Sequence, residues 1–366
     1  MATPREIHSA ARLTHACHDP ALCMAPGLFR SVVKGKRGNL AISYVHSRSV
    51  SIKFRALESL GADDLRILQV LVALAATQRS VITDASASPA SKALRAGMSL
   101  SGVARSQGLL IARSSYRQLA RELGYRNTEN TRPIQVCIKR LANVSVEVET
   151  HGRIGGFSLL SEYRDPSEKC GLCIALNPRI TLVVQRKVAF TIIRLDEARK
   201  LCSDASRLIH QRLSAWIGAG KTSLCNLETL CSYVWPEPTK SAHTAKSRRR
   251  TTRKAMDEIA GAGWGVEEYQ QGKFRIARSE RKSNTALPDE DKPAAPSPAA
   301  RPNQQKRAAS WKAGSQPEKV SPTVSPQDVM SQHGQTGNEE SGLLMAKYTG
   351  IKKNKIKSGS QKILVS

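Results

Sequence analysis

Seven lysine and arginine residues lie between positions 240 and 254, and the first acidic residue after them is Asp257. Lys and Arg side chains carry only hydrogen-bond donors, and the planar Arg guanidinium can bind a phosphate or a guanine edge with two parallel hydrogen bonds. The chemistry available to this segment is therefore the non-covalent recognition of a polyanion.

A helical projection at about 3.6 residues per turn divides this segment into two faces. The apolar inner stripe comprises Thr252, Met256, Ile259 and Ala260. The opposite face presents His243, Ser247, Arg250 and Lys254. Arg250 and Lys254 are therefore the candidates for reading guanine edges, whereas Arg249 projects toward the inner stripe and is a weaker candidate. The candidates for phosphate contacts are Lys246, Arg248 and Arg253.

Two short β-type runs, 264–269 and 273–277, follow the basic helix and are joined by a Gln-Gly turn. A basic helix followed directly by a β-hairpin is typical of a winged helix. In that module the helix enters the major groove, which is about 12 Å wide, and the hairpin touches the DNA backbone. Lys273 and Arg275 on the hairpin are therefore predicted to contact phosphates.

A second helix with an exposed polar face is predicted over 131–142, where Pro133 suits the first helical turn. Its apolar positions point inward, and Arg132, Gln135 and Lys139 point outward. Arg suits guanine and Gln suits adenine, so these residues are candidates for base contacts. The alternative to base contacts is that this face of the helix is simply basic and solvated. That alternative is weaker for residues 246–254, because no acidic residue balances the charge of that cluster.

Composition restricts the class of protein. The 366 residues carry a formal net charge of +27 with a pI near 10.1, which implies a polyanionic partner. Anionic lipid is the alternative to nucleic acid, but the longest apolar stretch, 67–76, is interrupted by Gln69 and is too short to span a bilayer. Eight cysteines at irregular spacing, without a secretory signal, indicate reduced thiols. We expect a cytoplasmic protein without membrane partners.

The pattern of elements predicts an α+β fold of two tandem winged-helix domains followed by a disordered basic tail. Both halves show helices at apolar spacing and end in a hairpin, although their sequences are not alike. The predicted segments are an N-terminal arm (1–36), a first winged helix (37–163) with an irregular insertion at about 77–108, a second winged helix (164–280) and a disordered tail (281–366). The tail is rich in Pro, Ser, Gln, Ala and Lys and has few apolar residues.

Three segments suggest catalysis or metal binding, but none of them has the complete pattern that this chemistry requires. The stretch from Gly218 to Thr222 lacks the first glycine of a phosphate-binding loop, because Ala215 occupies that position. Cys170 and Cys173 are predicted to lie on opposite faces of a strand. The last motif is the group His15, Cys17, His18 and Cys23, which has no second ligand pair at the usual zinc spacing. We therefore expect no catalytic residue, no metal and no cofactor.

Specific strings in the sequence resemble a known family. They are CHDPALCMAPGLFR (17–30), LGADDLRILQVLVALA (60–75), SSYRQLARELG (114–124), FSLLSEY (157–163), IALNPRI (174–180), SRLIHQRLSAWIGAGKT (206–222) and LCSYVWPE (230–237). Over roughly residues 15–279 the chain resembles the replication initiator (C) proteins of IncQ-type broad-host-range plasmids. The resemblance implies binding to directly repeated origin sequences (iterons), opening of adjacent AT-rich DNA, and assembly of a plasmid-encoded helicase and primase.

Two other functions are weighed against an initiator. A winged-helix transcriptional repressor would use the same modules, and a lone inverted repeat as its preferred site would distinguish it from a protein that binds direct repeats. A nicking or helicase enzyme is disfavoured because the phosphate-binding motif is incomplete and the sequence has no acidic cluster for two-metal chemistry. The sequence leaves open a monomer–dimer equilibrium.

Overall fold

The computed structural model describes residues 13–33, 35, 37–83, 92, 95–96, 108–164 and 171–280. The predicted tail 281–366, most of the insertion 77–108 and the first twelve residues of the arm lie outside these residues. The described helices are α1 (Pro20–Met24), α2 (Ala62–Gln78), α3 (Tyr116–Glu122), α4 (Arg132–Ala142), α5 (Pro178–Val184), α6 (Leu195–Ala198), α7 (Asp204–Trp216), α8 (Leu227–Val234) and α9 (Ala242–Gly261).

The described strands pair only in antiparallel sheets, so the fold is α+β as predicted. They are β1 (His15–His18), β2 (Leu40–Ser47), β3 (Val50–Ala56), β4 (Val81–Ile82), β5 (Leu109–Ser114), β6 (Ser145–Thr150), β7 (Arg153–Ser158), β8 (Leu160–Arg164), β9 (Leu172–Leu176), β10 (Thr191–Arg194), β11 (Thr222–Asn226), β12 (Gly265–Gln270) and β13 (Lys273–Ala277).

In the first half of the chain, α2, α3 and α4 precede the β6–β7 hairpin, which is the predicted order of elements. The hairpin joins the predicted β2–β3 hairpin in a sheet of order β2-β3-β6-β7. Helix α3 begins at Tyr116 because the hydroxyl oxygen of Ser115 accepts a hydrogen bond from the Gln118 amide at 3.1 Å. The predicted inner residues of α4, Ile134, Cys137, Ile138 and Leu141, are buried, whereas Arg132, Gln135 and Lys139 are exposed.

In the second half, the order is α7, β11, α8, α9 and the β12–β13 hairpin. Strand β11 adds to the hairpin, and the sheet order is β11-β13-β12. Ser203 and Ser241 cap the amino ends of α7 and α9. At the predicted Gln-Gly turn, Gly272 has a φ of 72°, a left-handed conformation that favours glycine.

The remaining sheets consist mostly of strands without a clear alternating pattern, and of these only β9 was predicted, as a strand over 174–176. A sheet of order β4-β5-β9-β8 contains β5, whose residues 109–112 are all buried and give no period of two. Strand β1, within the predicted arm, pairs with β10. The arm therefore contacts a strand of the second half.

One hydrophobic core runs through both halves of the described chain. Helix α2 is buried along most of its length, and its Gln69 donates a hydrogen bond at 2.9 Å to Gln211 of α7, with both side chains buried. The predicted boundary at 163/164 falls within β8, before its last residue, and β8 pairs with β9 in one sheet. The division into two domains stays a prediction. At the end of α7, Trp216 is 40% exposed.

Candidate nucleic-acid interface

Helix α9 carries the basic cluster on a long helix that is exposed on one side. Its 20 residues extend about 30 Å. Its buried residues are Thr252, Ala255, Met256 and Ile259. The projection named Ala260 instead of Ala255, which is wrong because Ala260 is exposed near the end of the helix. The other inner positions are confirmed, and the opposite face is open to solvent.

A glutamate near the carboxyl end of α9 fixes the helix on α7. The Glu258 carboxylate accepts hydrogen bonds from the Cys202 and Ser203 amides at 2.7 and 3.0 Å and from the Ser206 hydroxyl at 2.8 Å. Burial raises the pKa of Glu258, but these hydrogen bonds outweigh burial, so its pKa lies below the ordinary value. The anion stabilises the unpaired amides at the start of α7 and thereby orients α9.

A buried polar network holds the start of the β12–β13 hairpin. Glu197 of α6 accepts hydrogen bonds from His210 Nε2 at 3.0 Å and from Trp264 Nε1 at 2.9 Å. Burial raises the pKa of Glu197, but the hydrogen bond from His210 and that from Trp264 outweigh it and lower the pKa overall. Arg278, after β13, donates to the carbonyls of Ser214 and Ile192 at 2.9 and 2.7 Å. Both ends of the hairpin are therefore anchored.

Three basic residues at intervals of four, Lys246, Arg250 and Lys254, lie on the exposed side of α9, and we call them the basic face. Within the described residues these side chains make neither hydrogen bonds nor ion pairs. Ser247, another predicted contact, is also exposed. Since a spacing of four places side chains along one side of a helix, the basic face presents three uncompensated cations in a row.

Arg248 and Arg249 have internal partners. Arg248 donates to the Glu237 carbonyl at 2.8 Å, and its guanidinium lies over the Trp235 ring at 5.5 Å. Arg249 was projected toward the inner stripe, but its side chain is 49% exposed and its Nε lies 2.5 Å from Glu228 Oε1. The ion pair with α8 draws Arg249 to the side of the helix.

The arginines nearest the hairpin pair with the adjacent glutamates of β12. Arg253 Nε and Nη2 donate to the Glu268 carboxylate at 3.1 and 3.0 Å, and the Gly272 amide donates to the same carboxylate at 2.6 Å. Arg275 pairs with Glu267 at 2.7 Å. Lys273 is exposed and unpaired among the residues that the structure describes. Glu268 therefore connects α9 to the hairpin turn.

Helix α4 presents Arg132, Gln135 and Lys139 to solvent, as the projection predicted. Asp64 at the start of α2 positions this helix. Its side chain is fully buried, and it accepts a hydrogen bond from Arg140 Nε at 2.9 Å and one from the Gly61 amide at 2.7 Å. The helix is thus locked to α2, with its polar side free to meet a ligand.

The segments of the motifs rejected from the sequence lie partly within the described residues. Helix α7 ends at Trp216, and residues 218–221 form the turn that leads into β11, which begins at Thr222. Cys173 is buried in β9, and Cys170 lies outside the described residues. No three His, Cys, Asp or Glu side chains in the described ranges are grouped to hold a metal ion. Among the described helices, none combines the length and apolarity that crossing a bilayer requires.

A profile of the replication protein C (RepC) family matches residues 10–280. The chain belongs to this family. Membership supports the predicted role as a plasmid replication initiator and implies that the chain binds DNA. The match covers every described element.

Solved structures that resemble this RepC-family protein contain domains 2 and 3 of RctB. A crystal structure of selenomethionine derivatives of these domains gives a TM-score of 0.44 at 11% identity, covering 72% of this chain and 99% of that chain. A crystal structure of RctB residues 155–483 gives 0.43 at 11% identity, covering 71% and 97%. No curated protein matches the sequence significantly.

Sequence reasoning missed the acidic residues that organise the candidate interface of this RepC-family protein. Glu267 and Glu268 follow the basic helix closely in a predicted hairpin, and this was a usable signal, because strand residues alternate in direction and one of the two was therefore expected on the side of the helix. Glu197, Glu228 and Glu258 gave no such signal, since their partners are distant in sequence. Their roles emerge only from tertiary packing, in which α7 and α8 pack against α9 and Glu197 of α6 contacts Trp264.

Proposed function

We propose that this chain is an IncQ-type plasmid replication initiator that binds directly repeated origin sequences through α9, with α4 as a second reading helix. The observation that carries this proposal is the basic face, which is exposed and uncompensated on a helix that leads into an anchored hairpin. Arg250 is assigned to a guanine edge, and Lys246 and Lys254 to groove edges or phosphates.

The order of elements supports reading the second half as a winged helix. A helix, a strand, two helices and a hairpin occur in sequence, and the first strand pairs with the second strand of the hairpin. Helix α9 is the helix that would enter the major groove. In the first half, α2, α3, α4 and the β6–β7 hairpin repeat the helical part of this order. Tandem winged helices suit direct repeats, because each module reads its own segment of groove.

In the proposed mechanism the chain is not an enzyme. Binding to several repeats bends or strains the origin, adjacent AT-rich DNA opens, and the plasmid-encoded helicase and primase assemble on the open strands. The role of the protein is to supply binding energy at the repeats, where guanidinium and ammonium groups replace counterions on the phosphates.

Footprinting on the origin of the encoding plasmid tests the proposal. Protection of several direct repeats, with reactivity to single-strand probes in neighbouring AT-rich DNA, is the expected result. Protection of one inverted repeat without opening would favour a repressor. ATP hydrolysis or strand nicking by the purified protein would contradict the proposed non-enzymatic role.

A further inference from the structure

Three arginines at the candidate interface each have a glutamate partner from a neighbouring element. Arg249 pairs with Glu228 of α8 at 2.5 Å, and Arg253 pairs with Glu268 of β12 at 3.0 Å. Arg275 and Glu267 pair at 2.7 Å across β13 and β12. Carboxylates and phosphates occupy the same sites on a guanidinium, because both accept two parallel hydrogen bonds.

The bound glutamates change the charge that DNA would meet. The β12 and β13 strands carry Glu267, Glu268, Lys273 and Arg275 as their charged residues, so the two strands are neutral overall. The basic face on α9 has no such partner in the described chain. The positive potential of this module is therefore concentrated on one side of α9 and does not extend evenly over helix and hairpin.

We propose that Glu228, Glu267 and Glu268 occupy the phosphate-binding sites of Arg249, Arg275 and Arg253, and thereby restrict sequence-independent DNA contacts to the basic face and Lys273. The inference rests on the proposed function and refines the contacts predicted for Arg253 and Arg275. Fewer phosphate contacts lower the affinity for every sequence, so binding depends more on the base contacts that only the cognate site supplies.

Glu268 is the best residue for a test, because its substitution can be made nearly isosteric. Glu268→Gln keeps an oxygen that can accept from the Gly272 amide, but removes the charge that holds Arg253. One freed phosphate contact should steepen the slope of log K against log salt on random DNA by about 0.9. Between about 50 and 200 mM salt, the affinity for random DNA should then fall about 3.5-fold more than for the wild type.

Two variants serve as controls for this measurement on the full chain. Arg253→Gln combined with Glu268→Gln removes both members of the pair, so its slope should return to the wild-type value. Asp204→Asn removes an exposed carboxylate that pairs with Arg207 of its own helix at 3.2 Å, with the same change in net charge. Its slope should stay at the wild-type value, because Asp204 lies outside α9 and the hairpin.

The outcomes separate this inference from the proposed function. If the wild type binds neither random nor origin DNA, the proposed function is wrong. If the wild type binds and Glu268→Gln leaves the slope unchanged, or if Asp204→Asn changes it equally, the inference alone is overturned. Should Glu268→Gln fail to fold by circular dichroism, Glu228→Gln makes the same test, because Glu228 is 66% exposed and pairs only at the surface.

Discussion

Arg250 and Arg249 are adjacent arginines on α9 for which the structure predicts opposite outcomes. Arg250 is exposed and unpaired within the described chain, so Arg250→Ala breaks no intramolecular contact and should change the free energy of unfolding by less than about 0.5 kcal/mol. A bidentate guanine contact contributes about 1–3 kcal/mol of discrimination. Arg250→Ala should therefore weaken binding to the cognate repeat by about 5- to 140-fold, at about 1.4 kcal/mol per tenfold change.

The assay is a titration of a labelled repeat and of random DNA of equal length, followed by fluorescence anisotropy at one fixed salt concentration. Arg249→Ala is the matched control, because it removes the same charge from the same helix but from a residue already paired with Glu228. Replacing each guanine of the repeat in turn should show one position at which the wild type discriminates and Arg250→Ala does not. Equal weakening on the repeat and on random DNA would refute the assignment, since it would place Arg250 on a phosphate.

Three further predictions concern charge, pH and the tail. Lys246→Ala and Lys254→Ala should each reduce the magnitude of the salt slope by about 0.9 if both residues contact phosphates, and titrations at several salt concentrations measure this. Burial lowers the pKa of His18 to about 4 from its ordinary 6.5, so the folded state binds fewer protons than the unfolded state in this window. The contribution of neutral His18 to the free energy of unfolding is fully present above pH 6.5 and should decrease as pH falls toward 4. Denaturant unfolding of His18→Gln should not show this decrease. A protein that ends at Glu280 keeps Arg278 and its bonds to Ser214 and Ile192, so its unfolding temperature and its footprint should match those of the full chain.

Much of the local structure follows from residue types and spacing. The apolar stripe of α4 and most of that of α9 were predicted correctly, because a helix that packs on a core must bury residues three and four apart. The hairpin turn at Gly272 was predicted from a Gln-Gly pair, since glycine adopts a left-handed conformation at low cost. Strands β5, β10 and β11 were missed, because short strands that are buried on both faces or lie at an edge lack a distinctive period.

The sequence by itself determined the charge of the molecule, the helices that carry it and the side of each helix that meets solvent. Only the tertiary structure decided which of the lysine and arginine side chains on that side have no acidic partner. Arg253 and Glu268 are 15 residues apart, and Glu258 and the Ser203 amide are 55 apart, so no helical or strand period connects them. Ion pairs form where the chain brings opposite charges within about 4 Å, and only the packing of α7, α8 and the hairpin around α9 sets those distances.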